Sequence, residues 1–223
     1  MSRSKDDLTI EATTSDQLFT DRNGGLRSTR FDDIYYHPGQ GAEESQHVFL
    51  AGNDLPNRWL IKDQKTPSKD YFVIAETGFG SGLNFLACWQ LWRDSHHQGT
   101  ADHAHRTLYF YSSELYPLSS AALIKSIRHY NPFPDLANEL HNHYPDAIGG
   151  DYVIELDTDS PFPVVLVLLF GDSSEAFKRL EYYPIDHFNR ENDVSIESPL
   201  IATKGSDHRG LTIDAWFLDG YAP

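Results

Sequence analysis

A buried strand that runs through three closely spaced glycines into a helix constrains this fold more than any other feature. The segment is YFVIAETGFGSGLNFLACWQLW, residues 71–92, with Gly78, Gly80 and Gly82 at its centre. The apolar run before the glycines predicts a strand, and the apolar spacing from Leu83 onward predicts a mostly buried helix. Glycines at such a junction allow a tight reversal, and their lack of Cβ atoms lets a ligand lie against the backbone. We therefore expect a ligand site at this turn.

Strands and helices alternate along much of the chain. Further strands are predicted at Thr107 to Pro117, in a hairpin whose return strand is Val164 to Phe170, and within Leu211 to Pro223. Helices are predicted in SSAALIKSIRHY, in LANELHNHY and from about Glu175. This alternation predicts an α/β fold with a parallel, doubly wound sheet and a site outside the carboxyl ends of its strands. The polar stretch from Glu181 to Gly210 is predicted to be a long surface loop.

Acidic residues follow the ends of the predicted strands. Glu76 precedes the first glycine by two positions, Glu114 ends the second strand, and Asp172 follows the third. The glycines read G-x-G-x-G, whereas the dinucleotide fingerprint G-x-G-x-x-G would need a glycine at Leu83. A carboxylate here would repel a pyrophosphate but suits a cationic ligand with an amino group, such as S-adenosyl-L-methionine (SAM). Glu114 would then bind the ribose hydroxyls, and Asp172 would lie near the adenine amine. Tight packing between strand and helix is the alternative explanation for the glycines.

Composition limits the class of protein. Of 223 residues, 39% are hydrophobic, which is enough for the core of one sizeable α/β domain. No apolar run approaches the roughly 20 residues of a membrane span, and the N-terminus is too polar for a signal peptide. The only cysteine, Cys88, excludes an intrachain disulfide and a cysteine-based zinc site. We expect a cytoplasmic protein without a membrane partner. A formal charge of −15 counts against a broad nucleic-acid-binding surface.

Four motifs and one N-terminal segment resemble a known family. The motifs are AETGFGSGLNFLACWQLW, SSELYPLS, LLFGDSSE and DAWFLDGYAP, and the segment is RFDDIYYHPGQGAEESQHVFLAGNDL. They are similar to the methyltransferase domain of the bifunctional tRNA 5-methylaminomethyl-2-thiouridine biosynthesis protein MnmC. The resemblance implies a class I SAM-dependent methyltransferase fold, which is Rossmann-like, with an N-terminal β extension and with its C-terminal strands missing here. We expect a polar N-terminal segment, 1–29, and an incomplete methyltransferase domain, 30–223.

The resemblance also implies an activity and its residues. The activity is transfer of a methyl group to the aminomethyl nitrogen of 5-aminomethyl-2-thiouridine at the wobble position of tRNA, after a C-terminal FAD-dependent oxidase domain, absent here, has trimmed the precursor. Asp219 would be catalytic and would face the acceptor nitrogen. The residues implied to bind SAM are Glu76, Gly78, Gly80, Gly82, Asn84, Glu114, Asp172 and Tyr35, and those implied to contact the substrate are Tyr221 and Asp33, next to Asp32 of the same N-terminal segment.

Alternatives to these assignments remain open. The chain would otherwise be a truncated, inactive SAM-binding fragment or a methyltransferase for another amine, and Asp219 would otherwise only form a turn with Gly220. The oxidase would be either a domain or a separate chain. The histidines in one polar loop are not spaced as a defined metal site, so no metal is predicted; they are His96, His97, His103 and His105. Cys88, Trp89 and Trp92 are predicted to be core residues.

Overall fold

The computed structural model of the protein describes most of the chain. The described residues are 18–20, 26–28, 34–36, 41–60, 71–97, 106–130, 132–145, 149–179 and 213–218. The predicted surface loop from Glu181 to Gly210 lies outside them. Within them, no helix has the length and apolar character needed to cross a membrane.

A small antiparallel sheet comes first in the described chain. Its strands are β1 (Leu18–Thr20), β2 (Leu26–Ser28) and β3 (Ile34–Tyr36), in that order. The expected N-terminal β extension is therefore confirmed. β1 and β2 lie in the segment 1–29, where no element was predicted, because strands of three residues are too short to leave a periodic pattern. β2 pairs with β3 across residue 30, and the division of the chain at that residue stays a prediction.

A helical segment follows this sheet. It consists of α1 (Gly41–Glu44), a π-helical turn (Ser45–Leu50), a 3₁₀ turn (Ala51–Asn53) and α2 (Asn57–Leu60). Phe49 of the π-helical turn packs against Phe217 at a ring-centroid distance of 5.5 Å. The segment thereby contacts the main sheet.

The main sheet has five strands in the described part of the chain, and helices lie between them in sequence. The strands are β4 (Tyr71–Thr77), β5 (Thr107–Glu114), β6 (Gly150–Leu156), β7 (Val164–Phe170) and β8 (Ala215–Leu218), and the helices are α3 (Leu83–His97), α4 (Ser120–Tyr130), α5 (Pro134–His143) and α6 (Ser173–Arg179). The strand order is β6-β7-β5-β4-β8. All neighbouring strands are parallel except β6 and β7, which form the predicted hairpin. The α/β prediction is confirmed, as a mixed sheet with one antiparallel edge strand.

The two faces of the sheet have separate apolar cores. Because successive side chains of a strand point to opposite faces, Phe72 and Ile74 of β4 pack with α3, whereas Val73 belongs to the core on the other face, with Ala176 of α6. The α3 face is the larger core. Trp89, Trp92 and Cys88 are fully buried in it, as predicted.

Helix α3 is longer than its sequence pattern indicates. The apolar spacing predicts an end near Trp92, but the helix continues to His97. The ring of His96 is buried between Trp92, at 4.1 Å, and Phe162, at 4.3 Å between ring centroids. Tertiary packing therefore extends the helix through residues whose polarity predicts a loop.

Candidate cofactor site

The glycine turn closes onto the end of β5. The backbone N–H groups of Gly78 and Phe79 both donate hydrogen bonds to the Ser113 carbonyl, at 2.9 and 3.0 Å. Gly78, Gly80 and Gly82 have φ angles of 81°, 54° and 75°, in the region that side chains disfavour. The predicted strand–turn–helix unit is therefore confirmed, and its turn lies at the carboxyl rim of the sheet.

Gly82 serves packing inside the protein. A Cβ atom on Gly82 would lie 2.8 Å from Cζ of Phe79 and 3.4 Å from Cδ2 of Leu140. Contacts under 3 Å force neighbouring atoms to move, so the Phe79 ring already occupies the space that the missing side chain leaves. At Gly82 this contact agrees with the packing explanation that the sequence left open, and a role of Gly82 in binding a ligand stays a prediction.

Glu76 is a buried carboxylate at the end of β4. The residue is only 1% exposed. Asn84 Nδ2 donates to Oε1 at 3.0 Å, and Ser112 Oγ donates to Oε2 at 2.6 Å. Hydrogen bonds to an ionised carboxylate are among the stronger ones in proteins, so these two donors fix its orientation. Neither of these two donors carries a charge.

Two residues of this arrangement were missed by the sequence analysis. Ser112 pairs with Glu76 in the parallel register of β4 and β5, so an alignment of the two predicted strands would have placed it there. Ser45 lies in the π-helical turn and donates to Asn84 Oδ1 at 2.6 Å. No local pattern relates Ser45 to Asn84, since they lie 39 positions apart.

Glu114 is held by backbone groups at the end of β5. The Gly80 N–H donates to Oε2 at 2.9 Å, and the Tyr116 N–H donates to Oε1 at 2.8 Å. Glu114 is partly buried. The turn and the first residues of α3 therefore contact both acids, Glu76 through Asn84 and Glu114 through Gly80, and the structure brings the two acids together at one rim.

Asp172 begins helix α6. Its Oδ1 accepts hydrogen bonds from the backbone N–H and the hydroxyl of Ser174, at 3.0 and 2.6 Å, and from the N–H of Glu175 at 3.4 Å. These bonds, that of the Ser174 hydroxyl first, lower the pKa of Asp172. Asp172 is exposed and follows β7 at the same rim, because Glu114 pairs with Phe170 across β5 and β7. Asp172 therefore caps helix α6, in the segment GDSS that the sequence predicts to cap a helix.

The remaining predicted site residues have no described side chains. Asp33, Asp219 and Tyr221 lie outside the described residues, and Tyr35 lies in β3 without a described side chain. Strand β8 ends at Leu218, level with Thr77 of β4 in a parallel register. The strand that leads to Asp219 therefore ends at the same rim as Glu76.

A cluster of three aromatic side chains, Phe79, Tyr144 and Phe170, lies at the turn. The ring of Tyr144 stacks on that of Phe79, with centroids 6.1 Å apart, and packs against Phe170 at 6.3 Å. Burial first, and then the charge of Glu114, raise the pKa of the Tyr144 hydroxyl. Tyr144 was not predicted, because a single aromatic residue after a helix resembles an ordinary core anchor.

Other titratable groups near the site fit structural roles. Burial and the negative charge of Glu76 raise the pKa of the Cys88 thiol, so this cysteine stays protonated inside the core. In the part of the chain that the structure describes, no group of three histidine, cysteine or acidic residues is arranged to hold a metal ion.

Known proteins resemble this chain over most of its length. The tRNA 5-methylaminomethyl-2-thiouridine biosynthesis bifunctional protein MnmC of Vibrio cholerae serotype O1 is 38% identical over 196 residues, which are 88% of this chain and 24% of that protein. The proteins of the same name from Marinobacter nauticus and Aliivibrio fischeri are 35% and 34% identical, over 91% and 94% of this chain and 26% of each relative. The chain thus spans about a quarter of the length of these curated relatives.

No protein-family model matches the chain. The crystal structure of MNMC2 from Aquifex aeolicus has a TM-score of 0.48 and 16% identity, over 75% of this chain and 46% of that one.

Proposed function

We propose a function on one premise: this chain belongs to the MnmC family. We infer that the chain carries the SAM-dependent methyltransferase activity of that family. Its substrate would be the aminomethyl nitrogen of 5-aminomethyl-2-thiouridine at the wobble position of tRNA. The observation that carries the proposal is the buried Glu76 carboxylate, fixed by Asn84 and Ser112 next to a turn that also holds Glu114.

The donor and acceptor groups of this rim fit SAM better than a dinucleotide. SAM, when bound, supplies a methyl group activated by the neighbouring sulfonium. Glu76 would attract its ammonium group, because opposite charges attract strongly in a buried site. Glu114 would accept hydrogen bonds from the ribose hydroxyls. Two carboxylates at one turn would repel a pyrophosphate, since like charges a few ångströms apart destabilise each other.

Asp172 would serve the adenine end. Its Oδ1 is used by the start of α6, and the hydrogen bonds of the described residues leave Oδ2 to accept from an exocyclic amine. One carboxylate would thus both begin a helix and contact the ligand.

Asp219 is proposed to act on the acceptor amine. A primary amine is largely protonated at neutral pH, and only its neutral form has the lone pair that attacks a methyl group. Asp219, directly after β8, would hold the ammonium, orient the nitrogen and accept its proton. Correct placement of the nitrogen supplies most of the rate, because the reaction needs no covalent enzyme intermediate. Tyr221 and Asp33 would contact the uridine, and Tyr35 would close over SAM.

We propose that the oxidase activity of the family resides in the part of the relatives that this chain does not span. The relatives are bifunctional by name and about four times as long, so an FAD-dependent oxidase would occupy their remaining length. A formal charge of −15 makes this chain a weak binder of phosphates by itself. We therefore expect that the basic surface for tRNA also lies largely in that remaining length.

The Asp219→Ala variant tests the proposed function. The chain is incubated with SAM labelled on its methyl group and with tRNA that lacks the modification, and label in the tRNA is measured. We expect wild-type transfer, a loss of at least a hundredfold in Asp219→Ala, and a SAM dissociation constant within about twofold of wild type. Asp159→Ala, in the exposed hairpin turn before β7, is the matched control and should change neither quantity.

Three outcomes would contradict the proposal. Loss of SAM binding together with turnover would remove the role given to Asp219. Binding of SAM without any transfer to tRNA would favour an inactive fragment. Transfer to small amines with no response to tRNA would favour a different methyltransferase.

A further inference from the structure

Glu76 is held by a relay of hydrogen bonds that begins in the N-terminal helical segment. Ser45, which is 3% exposed, donates from Oγ to Asn84 Oδ1 at 2.6 Å. Asn84 Nδ2 then donates to Glu76 Oε1 at 3.0 Å. The relay therefore joins the π-helical turn, the first turn of α3 and the end of β4.

The chemistry of the amide gives Ser45 a specific part in this relay. An asparagine side chain has an acceptor end and a donor end of nearly the same shape, and its terminal torsion has two broad orientations. The hydroxyl of Ser45 can satisfy the Oδ1 end by donating to it, which directs the NH₂ group at Glu76. With no donor at position 45, the Oδ1 end loses this hydrogen bond, and the amide is held less firmly against the carboxylate.

The helical segment that carries Ser45 also contacts β8, the strand that pairs with β4 on the side away from β5. Asn53 Nδ2 donates to the Trp216 carbonyl at 3.2 Å, and Phe49 packs against Phe217. Both partners lie in β8, which leads to Asp219. A π-helical turn is rare and often lies at a functional site. Here it starts at Ser45.

We propose that Ser45 is a positioning residue for SAM, which acts through Asn84 to hold the Glu76 carboxylate ready for the amino-acid end of the ligand. The inference rests on the proposed function, in which Glu76 binds the ammonium group. It requires that loss of the Ser45 hydroxyl weakens only ligands that carry this group. A merely structural role would weaken all ligands of the site alike.

The test compares two ligands by calorimetric titration of Ser45→Ala. S-adenosylhomocysteine carries the amino-acid end, and 5′-methylthioadenosine lacks it; the weaker ligand is measured by competition against the stronger one. We expect about tenfold weaker binding of S-adenosylhomocysteine, equivalent to the roughly 1.4 kcal/mol of one hydrogen bond. Binding of 5′-methylthioadenosine should stay within twofold, and Ser45→Thr, which keeps the hydroxyl, should restore the wild-type values.

Two further variants serve as a control and as a substitute for Ser45→Ala. Ser126→Ala removes another buried serine hydroxyl, which donates to the Leu123 carbonyl within α4 at 2.7 Å. It should lower the melting temperature but leave both affinities unchanged. Should Ser45→Ala not fold, Ser45→Cys replaces the hydroxyl by a weak donor of similar size, with the same expected selectivity.

The outcomes separate this inference from the proposed function. If the wild-type chain binds neither ligand, the proposed function fails. If the wild-type chain binds both ligands, then equal weakening of both by the Ser45 variants, or no weakening of either, overturns the positioning role and leaves the proposed function standing.

Discussion

The three acidic residues of the candidate site differ in the groups that donate hydrogen bonds to their carboxylates. Side chains hold the buried Glu76, backbone N–H groups hold Glu114, and Asp172 caps a helix at the surface. The three acids thus pass from buried to exposed along the rim. We expect substitutions to act mainly on the ligand at Glu76 and on both ligand and fold at Asp172.

Asp172→Asn separates the two roles of Asp172. Asparagine is as good a helix cap as aspartate, so Oδ1 can still accept from Ser174 and Glu175. Its NH₂ group replaces Oδ2, so an adenine amine would lose its acceptor. We expect SAM binding to weaken about three- to tenfold, as for one neutral hydrogen bond, and the melting temperature at pH 7 to fall slightly, because asparagine keeps the cap but lacks the charge. Asp172→Ala should in addition cost about 1 kcal/mol of stability.

The charge of Asp172 predicts a pH dependence. Its pKa is lowered from 3.8, and the unfolded chain therefore binds this proton more readily than the folded one. The stabilisation is fully present above the ordinary value and is lost as the pH falls through the lowered pKa. Denaturation midpoints measured between neutral and strongly acidic pH should fall less in Asp172→Asn than in wild type. Equal slopes, or unchanged SAM affinity, would contradict the two roles.

The residues of the site could be predicted in part from the sequence. Glu76 and Glu114 follow strand ends, and the carboxyl ends of parallel strands meet at one rim, so their proximity could be predicted. Ser112 and Ser45 were missed, because their roles depend on strand register and on a contact distant in sequence. Packing was one of two explanations for the glycines, and the contact at Gly82 depends on where the Phe79 side chain lies, which the sequence does not show.

Among the helices and strands, α3 carries the site and is anchored at its other end. Asp157 accepts from Trp89 Nε1 at 2.6 Å and from Arg93 Nε at 2.7 Å, and Arg93 also pairs with Glu139 at 3.2 Å. Asp157 lies in the β6–β7 turn and Glu139 in α5. These contacts therefore fix α3 against two elements, and they raise the pKa of Arg93, chiefly through Asp157.

Asp157→Asn tests this anchor. Asp157 has a φ of 54°, which asparagine tolerates, so the substitution removes a charge without straining the backbone. Arg93 would keep Glu139 as a partner, and we expect a loss of about 1–2 kcal/mol, measured as the free energy of unfolding in urea. Asp159→Asn, at an exposed position of the same turn, should change it by less than about 0.5 kcal/mol. Equal effects of the two substitutions would show that the ion pair contributes nothing.

The elements follow from the sequence wherever the apolar pattern is long. Strands β4, β5 and β7 and the hairpin of β6 with β7 were predicted because apolar runs mark them, namely YFVIA in β4, LYFY in β5 and VVLVLLF in β7. The end of α3 was misplaced because the packing of His96 overrides local polarity. The start of α6 at Ser173, earlier than the predicted Glu175, reflects the cap that Asp172 supplies.

For the whole molecule, one geometric rule connects fold and function. Side chains at even positions of β4 and β5 face α3, because successive side chains of a strand point to opposite faces. Such positions are held by Glu76, Ser112 and Glu114, so the sheet directs all three toward the glycine turn and that helix. A chain that binds the nucleoside of SAM needs such a rim, with its negative charge near the turn. The same charge disfavours NAD, whose pyrophosphate would approach the turn directly.

Titration of the chain with SAM and with NAD, followed by calorimetry, tests this claim most directly. We predict saturable binding of SAM, no measurable binding of NAD at the same concentrations, and at least tenfold weaker binding of SAM to Glu76→Gln, since a hydrogen bond to a charged group contributes about 1.5–3 kcal/mol. Binding of NAD to the wild-type chain, or undiminished binding of SAM to Glu76→Gln, would contradict the account.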